Sequence, residues 1–199
     1  MNMKSKLMRI TIPAMMAAMS VVLEIACAKT GWTKVTIHGI PLMFTGIMFG
    51  PLIGFFTGTT AGFLAQLQYP LSIATLIYPA AYIMWAVIPG ILTKFFKDKK
   101  SIQFIVLVVV LSSVCANLTN TGAMMIDALF VDGSYFTIAG VLAKWGTRII
   151  TMIVMLIPNI FLLERLVIAL APLVIIEEVS INDFELSIFD KTNEELILK

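Results

Sequence analysis

Between Gly39 and Leu67 the chain runs for twenty-nine residues without a charged side chain. As one helix this run measures roughly 43 Å, too long for a bilayer core of about 30 Å and too short for two full crossings with a turn. Gly50-Pro51 stands in its middle. Proline lacks a backbone N–H and restricts the residue before it, so a helix breaks there. The run therefore predicts two short helices, 38–50 and 51–68, packed as a hairpin. Gly46, Gly50, Gly54, Gly58 and Gly62 recur every four residues, a stripe that lets backbones approach closely.

The rest of the chain has the same character. Of 199 residues, 59% are apolar and 13% charged, and the mean hydropathy is +0.97. A soluble domain is nearer half apolar and a quarter charged, so lipid must solvate much of this surface. Further apolar segments occupy 8–28, 73–96, 102–125 and 138–167, with Pro79, Pro89 and Pro158 as kink positions. The fold class expected is an all-α integral membrane protein, a six-transmembrane-helix bundle. Glu24 and the equally apolar remainder argue against the first segment being a cleaved signal peptide.

Orientation follows the positive-inside rule. Lys4, Lys6 and Arg9 begin the chain, and Lys94-Phe-Phe-Lys-Asp-Lys-Lys100 is the other basic cluster. Both belong in the cytoplasm, so an even number of spans separates them, and the split at Gly50-Pro51 supplies the fourth. Two more spans place the N- and C-termini together in the cytoplasm. Loops 29–37, 69–72 and 126–137 then face outside, where Lys29 and Lys34 run against the charge rule. Residues 1–171 form one membrane domain and 172–199 an acidic cytoplasmic tail, either a short hairpin or ordered strand, or unstructured. The tail carries seven acids against two lysines; with a whole-chain charge of +2, the membrane domain is +7. Such a body suits anionic lipid, an anionic substrate, or both.

Polar groups inside a membrane are costly and each needs a reason. Lys144 and Arg148 lie one turn apart on the last segment, where two cations repel and an anion between them relieves the strain; snorkelling to the interface is the alternative. Asn117, Asn120 and Thr121 form a polar face on segment five. Tyr78, Tyr82 and Trp85 form an aromatic face on segment four, for packing or for stacking on a flat ring. Gln66 ends segment three, and Trp32, Lys34, Thr36 and His38 fall in the first outer loop. With Trp145, all converge on the outer half, as a binding pocket open to the outside requires.

The excluded classes follow from the same residues. No H-E-x-x-H, G-x-S-x-G or P-loop occurs. A single histidine, and Cys27 and Cys115 in apolar runs, leave neither a nucleophile–base pair nor a metal centre. The expectation is a non-enzyme with no metal, no cofactor and no nucleic-acid partner.

At the start of the first segment, Ala14-Met-Met-Ala-Ala18 sets small residues on one face. Together with "HGIPLMFTGIMFGPLIGFFTGTTAGFLAQL" (38–67), "NLTNTG" (117–122) and Lys144…Arg148…Pro158, it resembles the substrate-binding S components of energy-coupling factor (ECF) vitamin transporters. Patterns 40–54 and 117–121 are most like the folate-type branch. The resemblance spans roughly residues 8–167. It implies a high-affinity vitamin-binding subunit of an ABC importer in the bacterial plasma membrane, for folate or a related anionic vitamin. It further implies docking through Ala14 and Ala18 on a transmembrane coupling protein driven by two ATPase subunits, with toppling in the membrane. Leu71-Ser-Ile-Ala-Thr-Leu-Ile-Tyr-Pro stands where that branch has a Pro-Gly-Phe-Thr-like stretch, and the acidic tail is foreign to the pattern. An S component for another vitamin such as pantothenate, or a scaffold subunit of another membrane complex, is the alternative.

Overall fold

The computed structural model describes residues 3–29, 36–69, 76–96, 101–127 and 145–172, with side chains described over 7–29 in the first stretch and 101–126 in the fourth. These residues form five helices and, among the described residues, no strand. They are α1 (Met3–Lys29), α2 (Gly39–Gln66), α3 (Pro79–Leu92), α4 (Ile102–Asp127) and α5 (Trp145–Pro172). Four of them, α1, α2, α4 and α5, are long and apolar enough to cross a membrane, while α3 is a shorter apolar helix. The start of the span expected at 138, residues 73–75 of the span expected at 73, and the tail beyond Pro172 lie outside the described residues.

Helix α2 is not continuous. Gly50 has φ 86 and ψ 177, in the region that only glycine enters without strain. Pro51 follows at a position where its missing N–H costs nothing. The direction of the break is fixed by neighbours. A methyl group placed on Gly46 or on Gly54 would collide with one and the same atom, the carbonyl oxygen of Ala86 in α3. Eight residues of unbroken helix would hold those positions about 12 Å apart. The chain therefore folds back at Gly50, and α2 is two half-helices, 39–49 and 51–66, lying side by side on α3.

The glycine stripe is the seam of this packing. A methyl group added at Gly58 would stand 2.7 Å from the Tyr82 carbonyl oxygen, one at Gly62 2.8 Å from Pro79, and one at Gly90 2.5 Å from Pro51. The half-helix 51–66 thus runs antiparallel to α3. The half-helix 39–49 runs parallel to it, from Gly39 against the Trp85 ring to Gly46 beside Gly90. Gly50→Ala meets no atom within 4 Å, so its whole cost is backbone strain. We expect a loss of about 1–3 kcal/mol, read as a lower thermal midpoint. Gly122→Ala, also in open space and inside a regular helix, should hold stability or raise it.

Two boundaries differ from the expectation of one helix over 73–96. Leu76 and Ile77 are helical, Tyr78 makes a turn, and α3 resumes at Pro79, which supplies a first-turn position needing no N–H. It ends at Leu92, because Thr93 turns its hydroxyl onto the Gly90 carbonyl at 2.7 Å and the chain leaves through a turn at Lys94 and Phe95. Threonines elsewhere hide their hydroxyls in the same way: Thr45 and Thr57 donate to the carbonyls of Pro41 and Ile53.

One core unites all five helices. It contains Met16 and Ala17 of α1, Leu42, Phe44 and Ile47 of α2, Tyr82 and Trp85 of α3, Phe104 and Val108 of α4, and Leu163 and Val167 of α5. Large apolar side chains also cover the outside, among them Leu7, Val22, Leu52, Phe56, Ile150 and Ile157, as expected of a surface solvated by lipid tails.

Candidate ligand-binding site

The site is anchored on Asn159, which lies within the apolar helix α5 and is almost wholly buried, 1% exposed. Its Nδ2 donates to Thr36 Oγ1 at 3.2 Å. Thr36, Ile37 and His38 precede the half-helix 39–49, which is about 16 Å long and covers only half a bilayer. Ser20, whose hydroxyl bonds to the His38 carbonyl, lies midway between Arg9 and Lys29 of α1, so the turn 36–38 is held near the middle of a membrane-length helix. Irregular backbone at that depth persists only where protein buries it or where it lines a polar cavity.

Local bonds hold this turn. Gly39 N–H donates to the Thr36 carbonyl at 3.1 Å and Ile40 N–H to the Ile37 carbonyl at 3.0 Å, so the helix start is closed by its own tight turn. Ser20 Oγ of α1 donates to the His38 carbonyl at 2.7 Å.

One turn after Ser20, Glu24 Oε2 lies 2.9 Å from His38 Nδ1, with the two side chains 19% and 13% exposed. The contact is close in distance but poorly aligned for a hydrogen bond, since Nδ1 finds no acceptor along its N–H direction. The His38 ring also leans on Tyr82, centroids 5.3 Å apart and planes tilted by 36°. The charge of Glu24 reaches Tyr69 as well, whose phenol is pushed upward first by partial burial and then by that carboxylate. We expect Glu24→Leu and His38→Leu to be non-additive, with a coupling of about 0.5–3 kcal/mol. A thermal-unfolding double-mutant cycle measures it, and additive effects would mean the pair does not interact.

A second polar group joins α4 and α5. Arg148 Nη1 donates to Thr121 Oγ1 at 3.0 Å, and the Thr121 hydroxyl proton is committed to the Asn117 carbonyl at 2.8 Å. The threonine lone pairs are thus turned toward the guanidinium. Asn117 Nδ2 donates to the Ser113 carbonyl at 2.8 Å, leaving its oxygen as an acceptor. Thr121 is near the C-terminal end of α4 and Arg148 near the N-terminal end of α5, so both lie at the same end of the bundle. Among the described residues no acid is paired with Arg148; Glu24 sits instead beside His38, 2.9 Å away.

The remaining candidates are placed as follows. Tyr82 and Trp85 are core residues, 6% and 3% exposed, with Trp85 against Gly39. Tyr78, Gln66 and Asn120 are half-buried, and Trp145 is exposed. Trp32, Lys34 and Lys144 lie outside the described residues. Ala14 and Ala18 are exposed on α1, opposite the face that buries Met16, Ala17 and Ser20. Among the described residues no group of three or more metal-ligating side chains occurs.

Sequence reasoning used Glu24 only as an argument against a signal peptide and passed over Asn159. Both carried a signal. Glu24 is the one acid of segment 8–28, and an acid in an apolar span needs a donor, for which the sole histidine was the natural partner. Asn159 is the only amide of segment 138–167 and follows Pro158 in an otherwise apolar run.

These helices define a membrane-type, all-helical protein with two polar clusters, one at mid-depth and one toward the end of the bundle where α4 finishes and α5 begins. Comparison with known protein families, curated proteins and solved structures finds none that matches this chain.

Proposed function

We propose that the protein is a high-affinity vitamin-binding subunit of an ECF-type importer in the bacterial plasma membrane, taking folate or a related anionic vitamin from outside. The observation that carries this reading is Arg148. It is a cation held by a neutral hydroxyl, in a membrane segment, with no acid of the described residues paired to it. An intramembrane cation is expensive unless something neutralises it, and a carboxylate fits the guanidinium through two parallel hydrogen bonds. The half-depth turn at 36–38 supports the reading, because discontinuous helices in transporters place polar backbone where substrate is held.

In this reading the chain crosses once through the turn 36–38 together with the half-helix 39–49, once through 51–66 and once through α3, which with α1, α4 and α5 gives six with both termini in the cytoplasm. The exposed face at Ala14 and Ala18 docks on a transmembrane coupling protein powered by two ATPases. The resemblance in the sequence supplies this partner, and the exposure of both alanines leaves the face accessible.

The test is to purify the chain in mild detergent and identify by mass spectrometry any vitamin it retains. Retained folate supports the branch, a different acidic vitamin keeps the receptor and changes its substrate, and no vitamin binding favours a scaffold subunit. Ala18→Trp should abolish vitamin uptake in cells while leaving binding to the purified protein within about twofold, since a bulky ring on this exposed face of α1 blocks helix approach. Equal loss of uptake and binding would remove the docking role.

A further inference from the structure

Asn159 makes one hydrogen bond and leaves one end of its amide without a partner. The Oδ1 atom is fully buried and no donor of the described residues reaches it. Turning the amide over does not help, because Thr36 then donates to the oxygen and the Nδ2 group is orphaned instead. A buried amide half satisfied in this way costs stability, and such a cost is retained at sites that serve a ligand.

The position of Asn159 relative to Arg148 gives this a direction. They are eleven residues apart, three helical turns with only about 20° of rotation left over, so they share one face of α5 with about 16 Å between them along the axis. Met152 and Met155 lie between them on that face, both partly buried. Methionine is a pliable surface that sits well against flat aromatic rings. The face thus carries a cation at one end, a soft apolar strip, and an amide with a hydroxyl at the other.

We infer that Asn159 with Thr36 recognises the neutral, hydrogen-bonding ring of an elongated substrate at the centre of the membrane, while Arg148 holds its acidic end about 16 Å nearer the outside. This rests on the vitamin-binding reading and narrows it, favouring a flat ring linked to a distant carboxylate over a compact acid such as pantothenate. Asn159 supplies both an acceptor and a donor, as a ring bearing ring nitrogens, an amino group and a carbonyl demands.

The experiment titrates three probes into the purified full-length chain and its variants. Folate has both ends, pteroate keeps the ring and lacks the glutamate, and p-aminobenzoylglutamate keeps the glutamate and lacks the ring. Asn159→Leu should weaken folate and pteroate about tenfold or more and leave p-aminobenzoylglutamate unchanged. The thermal midpoint of the ligand-free variant should hold or rise, because a buried orphan is replaced by an apolar group of similar volume. Unchanged folate affinity, equal loss of all three probes, or a midpoint lowered by several degrees would each assign Asn159 to the scaffold and overturn the inference. If the unaltered chain binds none of the probes, the folate reading and this assignment fall together. Normal folate binding with an indifferent Asn159→Leu removes the assignment alone.

Discussion

Arg148→Ala should weaken the binding of an anionic vitamin by about 100- to 1,000-fold while the helices stay assembled. One guanidinium N–H is used on Thr121, which leaves a planar edge for a carboxylate. Charged hydrogen bonds contribute about 1.5–3 kcal/mol each, and two of them correspond to two or more decades of affinity. Stability should change little, because the side chain is only half-buried and Thr121 keeps its bond to the Asn117 carbonyl. Arg148→Lys should recover part of the affinity, since the charge remains but the forked geometry is lost. Isothermal titration with folate, beside a thermal-unfolding trace of each variant, measures both effects. An Arg148→Ala protein that binds as the unaltered chain does would show that the guanidinium serves only Thr121 and the membrane interface.

The largest loss of stability is expected from Gly46→Ala. Its new methyl group would run into the Ala86 carbonyl oxygen and stand 3.1 Å from the Gly90 nitrogen. Both are backbone atoms of α3, so no side chain can rotate away, and α3 is itself pinned from the other side by Gly54 and Gly58. Overpacking of this kind costs about 3 kcal/mol or more, which for a chain of this size lowers the thermal midpoint by roughly 10 °C. The ordering is informative. Gly46→Ala should be the most harmful, Gly50→Ala intermediate, and Gly122→Ala, which meets nothing within 4 Å, harmless. A Gly46→Ala protein as stable as the unaltered chain would show that the fold-back at Gly50 does not bring 39–49 and α3 together.

The helices were legible because lipid imposes a simple code: long uncharged runs, ended by basic clusters, broken at Gly-Pro. That code marked the interruption of α2 and the glycine stripe along it. It did not show that the stripe serves α3, because glycine spacing says that something approaches closely and not what does so. The extent of α3 was harder to read, since apolar character continues to Phe96 and only the Thr93 cap and the turn behind it close the helix. In the site, Arg148 and Thr121 were recognisable as polar groups on neighbouring segments. Glu24 and His38 were not joined, because their meeting depends on the chain dipping to mid-depth before 39–49, a path that no periodicity encodes. Tyr82 and Trp85 show the opposite limit: the spacing placed them on one helix face, and tertiary packing then turned that face toward Gly39 and the core rather than toward open space.

The seam between α2 and α3 also constrains traffic through the protein. A single methyl group finds no room there, so a vitamin held as proposed beside Asn159 would have no path between these helices. Permeation through a fixed channel along that seam is ruled out. On the proposed receptor reading, cargo is delivered either by α5 swinging away from the rest or by the whole bundle reorienting in the bilayer with its passenger aboard.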